Sequence, residues 1–199
     1  MKKYTLNPEY SAYTVGQYID YCKNSGSMLN QVCAITGMPK DEAIKLTPAQ
    51  LKQVVTFFES VMESKESEFK CFWEHNGIKY GFIPNIESVT FGEWLDLNSA
   101  IQTHPTTMDK MLAILYRPVT MEFMGKYKIE DYSSDNHLSN RDIMRSMPLH
   151  IANGCMLFFS TIRSELWTTF QEYLEKQTNQ NLEKAIKTTQ QAIRESGMS

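Results

Sequence analysis

Two nine-residue segments of the chain follow one pattern: Tyr13-Thr14-Val15-Gly16-Gln17-Tyr18-Ile19-Asp20-Tyr21 and Val89-Thr90-Phe91-Gly92-Glu93-Trp94-Leu95-Asp96-Leu97. Each is a complete helix start. A threonine stands at the N-cap with Gln17 or Glu93 three residues on, so side chain and backbone can exchange hydrogen bonds as a capping box. Tyr13 with Tyr18, and Val89 with Trp94, fall where a hydrophobic staple closes over the first turn. Thr47-Pro48-Ala49-Gln50, flanked by Leu46 and Leu51, obeys the same grammar, so caps alone do not make a repeat. The glycines add weight. Glycine within a helix costs about 1 kcal/mol relative to alanine, and its recurrence at Gly16 and Gly92 implies a duplicated unit in which another backbone comes close, the alternatives being matched caps on unrelated helices and a glycine tolerated in a solvent-facing turn. Each copy is followed by a short apolar segment and a proline, Val32 to Ile35 before Pro39 and Met111 to Ile114 before Pro118.

Periodicity predicts helices at about 14–23, 27–36, 47–64 and 107–116. Between the halves, Asn76-Gly77 predicts a type I′ turn that pairs His75 with Ile78, Glu74 with Lys79, Trp73 with Tyr80, Phe72 with Gly81 and Cys71 with Phe82. That register gives one opposite-charge pair and one aromatic pair, and places Cys71, Trp73, Ile78, Tyr80 and Phe82 on one apolar face. Thr120 to Leu138 reads as a loop with at most one short strand, the mobile part of the surface. A short helix is expected from Ser139 to about Met147. From Pro148, Leu149, Ala152, Met156, Phe159, Ile162, Leu166, Phe170 and Leu174 recur at spacings of three or four, the pattern of a long central helix. The expected fold is mainly α: one multi-helix domain over residues 1–176, with repeat-like halves at about 13–64 and 89–175 and one small β-hairpin at about 69–83. Residues 177–199 read as a polar C-terminal helix or tail, whose thin stripe of Leu182, Ile186 and Ile193 suits a partner's groove or a frayed end equally.

Chemistry is hard to find in this pattern. A formal charge of -3 over 199 residues offers nucleic acid or anionic lipid no bulk attraction. The N-terminus lacks the apolar run of a secretory signal, and nothing approaches a membrane span, so the cytoplasm is the expected compartment. Cys22, Cys33, Cys71 and Cys155 combine with His75, His104, His137 and His150 in no metal-ligand spacing. Phosphate-binding loops, nucleophile elbows and zinc-helix motifs are missing from the sequence. Glu93 and Asp96 are the best acid/base pair, but the capping box already uses Glu93. His150 and Cys155, five apart in one helix, fall on different faces. Lys176, Lys184, Lys187 and Arg194 alternate with Glu175, Glu183 and Glu195, the pattern of a solvated helix. No catalytic residue, metal or cofactor is expected. The interaction candidates are Trp73 and Tyr80 in the hairpin and Leu182, Ile186 and Ile193 in the tail.

The segment Val89 to Leu97, followed by Met111-Leu112-Ala113-Ile114-Leu115-Tyr116-Arg117-Pro118 and by Gly125-Lys126-Tyr127, resembles small proteins encoded in the morphogenesis modules of tailed bacteriophages of gut-type bacteria. The likeness runs loosely from about residue 13 to 170 and rests on packing and capping motifs. It implies a non-enzymatic virion assembly or structural protein, of the tail assembly chaperone or head-to-tail connector type. Such a protein would act in the host cytoplasm during assembly or as part of the virion. Its partners would be other phage structural proteins, in homo- or hetero-oligomers, with neither membrane nor nucleic acid among them. The alternative from another class is a nucleic-acid-associated regulatory protein.

Overall fold

The computed structural model describes residues 6–162, 175–179, 181, 182, 184 and 187. The chain divides into two compact units, Met1–Leu157 and Phe158–Ser199. In the first, four helices come in succession: α1 (Val15–Lys23), α2 (Met28–Thr36), α3 (Lys40–Ala43) and α4 (Pro48–Met62). A hairpin of β1 (Phe72–His75) and β2 (Ile78–Phe82) precedes α5 (Phe91–Gln102) and α6 (Met108–Leu115). A second hairpin, β3 (Tyr116–Phe123) and β4 (Lys126–Ile129), is followed by α7 (Ser134–Met144). A last helix, α8, starts at residue 149 and is described to residue 162. In the second unit the described residues are helical, and Phe159 is the one that is buried.

All three capping boxes form. Thr14, Thr47 and Thr90 each accept from the backbone N–H three residues on, and Gln17, Gln50 and Glu93 each accept the N-cap N–H in return. Both matched glycines occupy the first turn, but their surroundings differ. The Gly16 N–H donates to the Arg145 carbonyl at 2.7 Å, and a Cβ on Gly16 would lie 3.0 Å from that oxygen. Gly92 is exposed, and its nearest neighbour would be Thr90 Oγ1 at 4.0 Å. Close approach therefore explains Gly16 alone. Gly92→Ala should stabilise the fold by up to about 1 kcal/mol, the helix-propensity gain, whereas Gly16→Ala should destabilise it by about 1–3 kcal/mol through overpacking. Urea denaturation of the two variants checks the opposite signs. The two copies also part company downstream: α1–α2 continues through Pro39 into α3, while α5–α6 runs straight into β3.

The expectation of a mainly α fold with one small hairpin is corrected by the sheet. Four antiparallel strands lie in the order β1-β2-β3-β4, so the fold is mixed α/β. The first hairpin has the expected register, with Phe82 N–H bonded to the Cys71 carbonyl at 2.8 Å. The second was concealed by two features. Tyr116 accepts no gap between helix and strand: its N–H still bonds to the Leu112 carbonyl while its own φ of -113° and ψ of 123° are already extended. Pro118, which reads as a helix stop, also fits a strand here. It pairs with Tyr80 on the β2 side, and its carbonyl accepts Glu130 N–H at 2.9 Å on the other side. Its missing donor thus falls at the end of the β3–β4 ladder, where one bond is lost rather than a register. The turn at Met124 and Gly125 has φ of 49° and 76°, close to the 50° and 76° of Asn76 and Gly77. Both are left-handed turns of the kind that joins two-residue hairpins. Thr120 to Leu138 is accordingly strand, turn, strand and the start of α7 rather than loop.

The core centres on α6, where Met108, Asp109 and every residue from Met111 to Leu115 are buried. Tyr80, Phe82 and Tyr116 bring one face of the sheet into the same core, with Phe82 and Tyr116 rings 5.6 Å apart. Leu149 and Ala152 of the expected α8 stripe are buried in this unit, whereas Leu166, Phe170 and Leu174 lie outside the described residues. Asp109 is buried with both Arg141, at 3.1 Å, and Arg145, at 3.9 Å. Arg145 reaches on to Asp20 at 2.6 Å, so the aspartate shared by the two sequence copies ties α1 to the end of α7.

Candidate functional site

Two places on the first unit merit a functional reading: a polar cleft beside α5, and the second hairpin. The cleft, of about 530 Å³, is lined by Glu93, Arg117, Lys128, Glu130, Tyr132 and their neighbours. Two of its charged groups, Glu93 and Arg117, are committed to each other. Glu93, buried by its place in the first turn of α5, takes Arg117 Nη2 on Oε1 at 2.8 Å and Thr90 N–H on Oε2 at 2.6 Å. Asp96 Oδ2 accepts the Tyr132 hydroxyl, and its Oδ1 lies 3.6 Å from Lys110 Nζ. Burial, then the bond to Asp96, pushes the Tyr132 hydroxyl above the usual tyrosine range. Both carboxylates of the sequence-based acid/base pair therefore hold the fold together. Each of the four carboxylate oxygens thus faces a donor or a cation of the chain itself.

Cys155 is fully buried, and burial drives its thiol well above the ordinary cysteine range, which suppresses the nucleophilic thiolate. His75 packs against Trp73, with rings 5.3 Å apart, and contacts Ser146 Oγ through Nδ1 at 3.2 Å. Ser146 Oγ already donates to the Ile143 carbonyl at 2.6 Å, so His75 Nδ1 carries the proton in this contact. The histidine anchors the hairpin.

The sequence-based interaction residues belong to both units. Trp73 is half-buried in β1 and sits 5.7 Å from the ring of Tyr80. Tyr80 is buried and belongs to the core. Leu182 is exposed in the second unit, and Ile186 and Ile193 lie outside the described residues.

The β3–β4 hairpin, which falls largely in the segment expected to be a loop, is the more distinctive surface. Tyr127 fastens it: its ring lies on Phe72 at 4.6 Å and its hydroxyl donates to the Phe82 carbonyl at 2.6 Å. The ring covers Gly81, where a Cβ would come within 2.8 Å of it. Lys79 and Glu122, 2.6 Å apart, tie β2 to β3 on the same face. A shift in register between Val119 and Met121 then re-aims the strand. Past this bulge, Met121 is 54%, Phe123 70% and Met124 85% exposed. Lys128 pairs with Met121 and Lys126 with Phe123, which puts two exposed lysines on the face that carries the apolar side chains. The signal for this hairpin was in the sequence: glycine at the second turn position between Met121, Glu122 and Phe123 and the alternating Lys126, Tyr127, Lys128 and Ile129. No family model, curated protein or solved structure matches the chain.

Proposed function

We propose that the chain is a non-enzymatic assembly or structural protein of the tailed-phage morphogenesis kind that it resembles, and that it docks on a partner protein through the β3–β4 hairpin. The observation that carries this reading is the cluster of Met121, Phe123 and Met124 on a hairpin fastened at its base and bare at its tip. A single exposed apolar residue is ordinary, but adjacent large ones mark an interaction surface. Full burial of Phe123 and Met124 against a partner would contribute about 1.5–3 kcal/mol each. An aromatic anchor with an adaptable methionine beside it is also the usual make-up of a binding hot spot.

The reading is checked by co-expressing the chain with the products of its neighbouring genes and isolating the complex by size exclusion with light scattering. F123D/M124D should weaken association at least about tenfold and leave the thermal midpoint of the free chain unchanged, because both side chains are exposed. A complex that survives the double substitution would overturn the assignment of the hairpin.

A further inference from the structure

We propose that the open edge of β4 receives an extended segment of a partner protein, acidic on one face and apolar on the other, as a fifth strand. The inference rests on the hairpin reading above and names the kind of partner it fits. In a two-residue hairpin the residues flanking the turn, Phe123 and Lys126, form the hydrogen-bonded pair, and bonded and non-bonded pairs then alternate. Tyr127 and Ile129 therefore turn their N–H and C=O groups away from β3. Glu130 N–H, bonded inward to Pro118 at 2.9 Å, continues this alternation. Among the described residues nothing else occupies those outward groups, so the edge offers two donors and two acceptors at strand spacing.

Side chains select the occupant. Lys126 and Lys128 are exposed and share a face, and among the described residues neither has an ion-pair partner, in contrast to Lys70, Lys79 and Lys110. A second β4 brought up by two-fold symmetry would set these lysines against their own counterparts, which is destabilising and works against self-pairing. An incoming strand with Asp or Glu opposite them gains two charge-assisted contacts. Its alternate residues meet Tyr127 and Ile129 on the other face, where apolar side chains fit. A cleft of about 560 Å³ lined by Thr120, Lys128, Ile129 and the following residues to Ser133 lies beside the end of the strand, leaving room for the segment to run on.

The test uses the full chain, isotopically labelled, with two synthetic peptides, one alternating glutamate and valine and one alternating lysine and valine. The glutamate peptide should shift the amide signals of Tyr127 and Ile129 and bind more weakly as salt rises. K126E/K128E should lose at least about tenfold in affinity for it and prefer the lysine peptide. Equal binding of both peptides, or shifts confined to other residues, would overturn strand addition, as would failure to saturate at millimolar peptide. Concentration-dependent shifts of the same amides without peptide would assign the edge to a second copy and also overturn the proposal. If the peptides fail while F123D/M124D still abolishes the partner complex, strand addition falls and hairpin docking stands.

Discussion

Gly154→Ala should cost the fold at least about 3 kcal/mol. Gly154 lies within α8, where alanine would ordinarily gain about 1 kcal/mol from helix propensity. Its Cβ would stand 2.3 Å from the Glu68 carbonyl carbon, 2.4 Å from that oxygen and 2.5 Å from Phe69 N. These are backbone atoms of the segment leading into β1, and Glu68 N–H is itself bonded to the His150 carbonyl at 3.1 Å. A flexible side chain could rotate away, but this backbone cannot move without giving up that bond and the Phe69–Phe82 ring contact at 5.2 Å. Chemical denaturation should show a midpoint well below that of the parent chain, with the helix content of the folded baseline retained. A midpoint equal to or above the parent's would mean that α8 and the Glu68 segment pack less closely than described.

Arg117→Met should destabilise by about 3–5 kcal/mol, because it strands the buried Glu93 carboxylate without its cation. The ion pair itself is not the source of that stability. Arg117 Nε is buried without a hydrogen-bond partner among the described residues, and the pair carries the desolvation of two charges. E93Q/R117M removes both charges and keeps the capping box, since glutamine serves at that position as Gln17 and Gln50 do. The double variant should therefore recover most of the loss. Denaturation of the two single variants and the double gives the coupling directly. A double variant as unstable as R117M would show that packing of the guanidinium, and not the uncompensated charge, sets the cost.

Local chemistry made the three capped helices and the first hairpin legible. Thr14, Thr47 and Thr90 begin their helices through side-chain bonds confined to four residues, and Asn76-Gly77 encodes its own turn. What stayed hidden depends on partners distant in sequence. Pro118 stops a helix or ends a ladder according to whether β2 and Glu130 are beside it. Met124 adopts a left-handed conformation that methionine seldom favours, held by the strands on either side. Gly16 and Gly92 are alike in sequence, and only the presence of Arg145 at one of them distinguishes a packed glycine from a tolerated one. The candidate site suffered most. Tyr80 has the composition of a contact residue but is consumed by the core, while Phe123 and Met124 reveal their exposure only after the bulge near Thr120 lifts the strand clear of it.

Docking through the β3–β4 hairpin would shield that segment when the partner complex forms. Hydrogen–deuterium exchange of the full chain, free and in the reconstituted complex, tests it most directly. Exchange should slow between residues 119 and 130, most of all at the outward amides of Tyr127 and Ile129. Unchanged exchange there, with protection confined to α2 and α4, would contradict it.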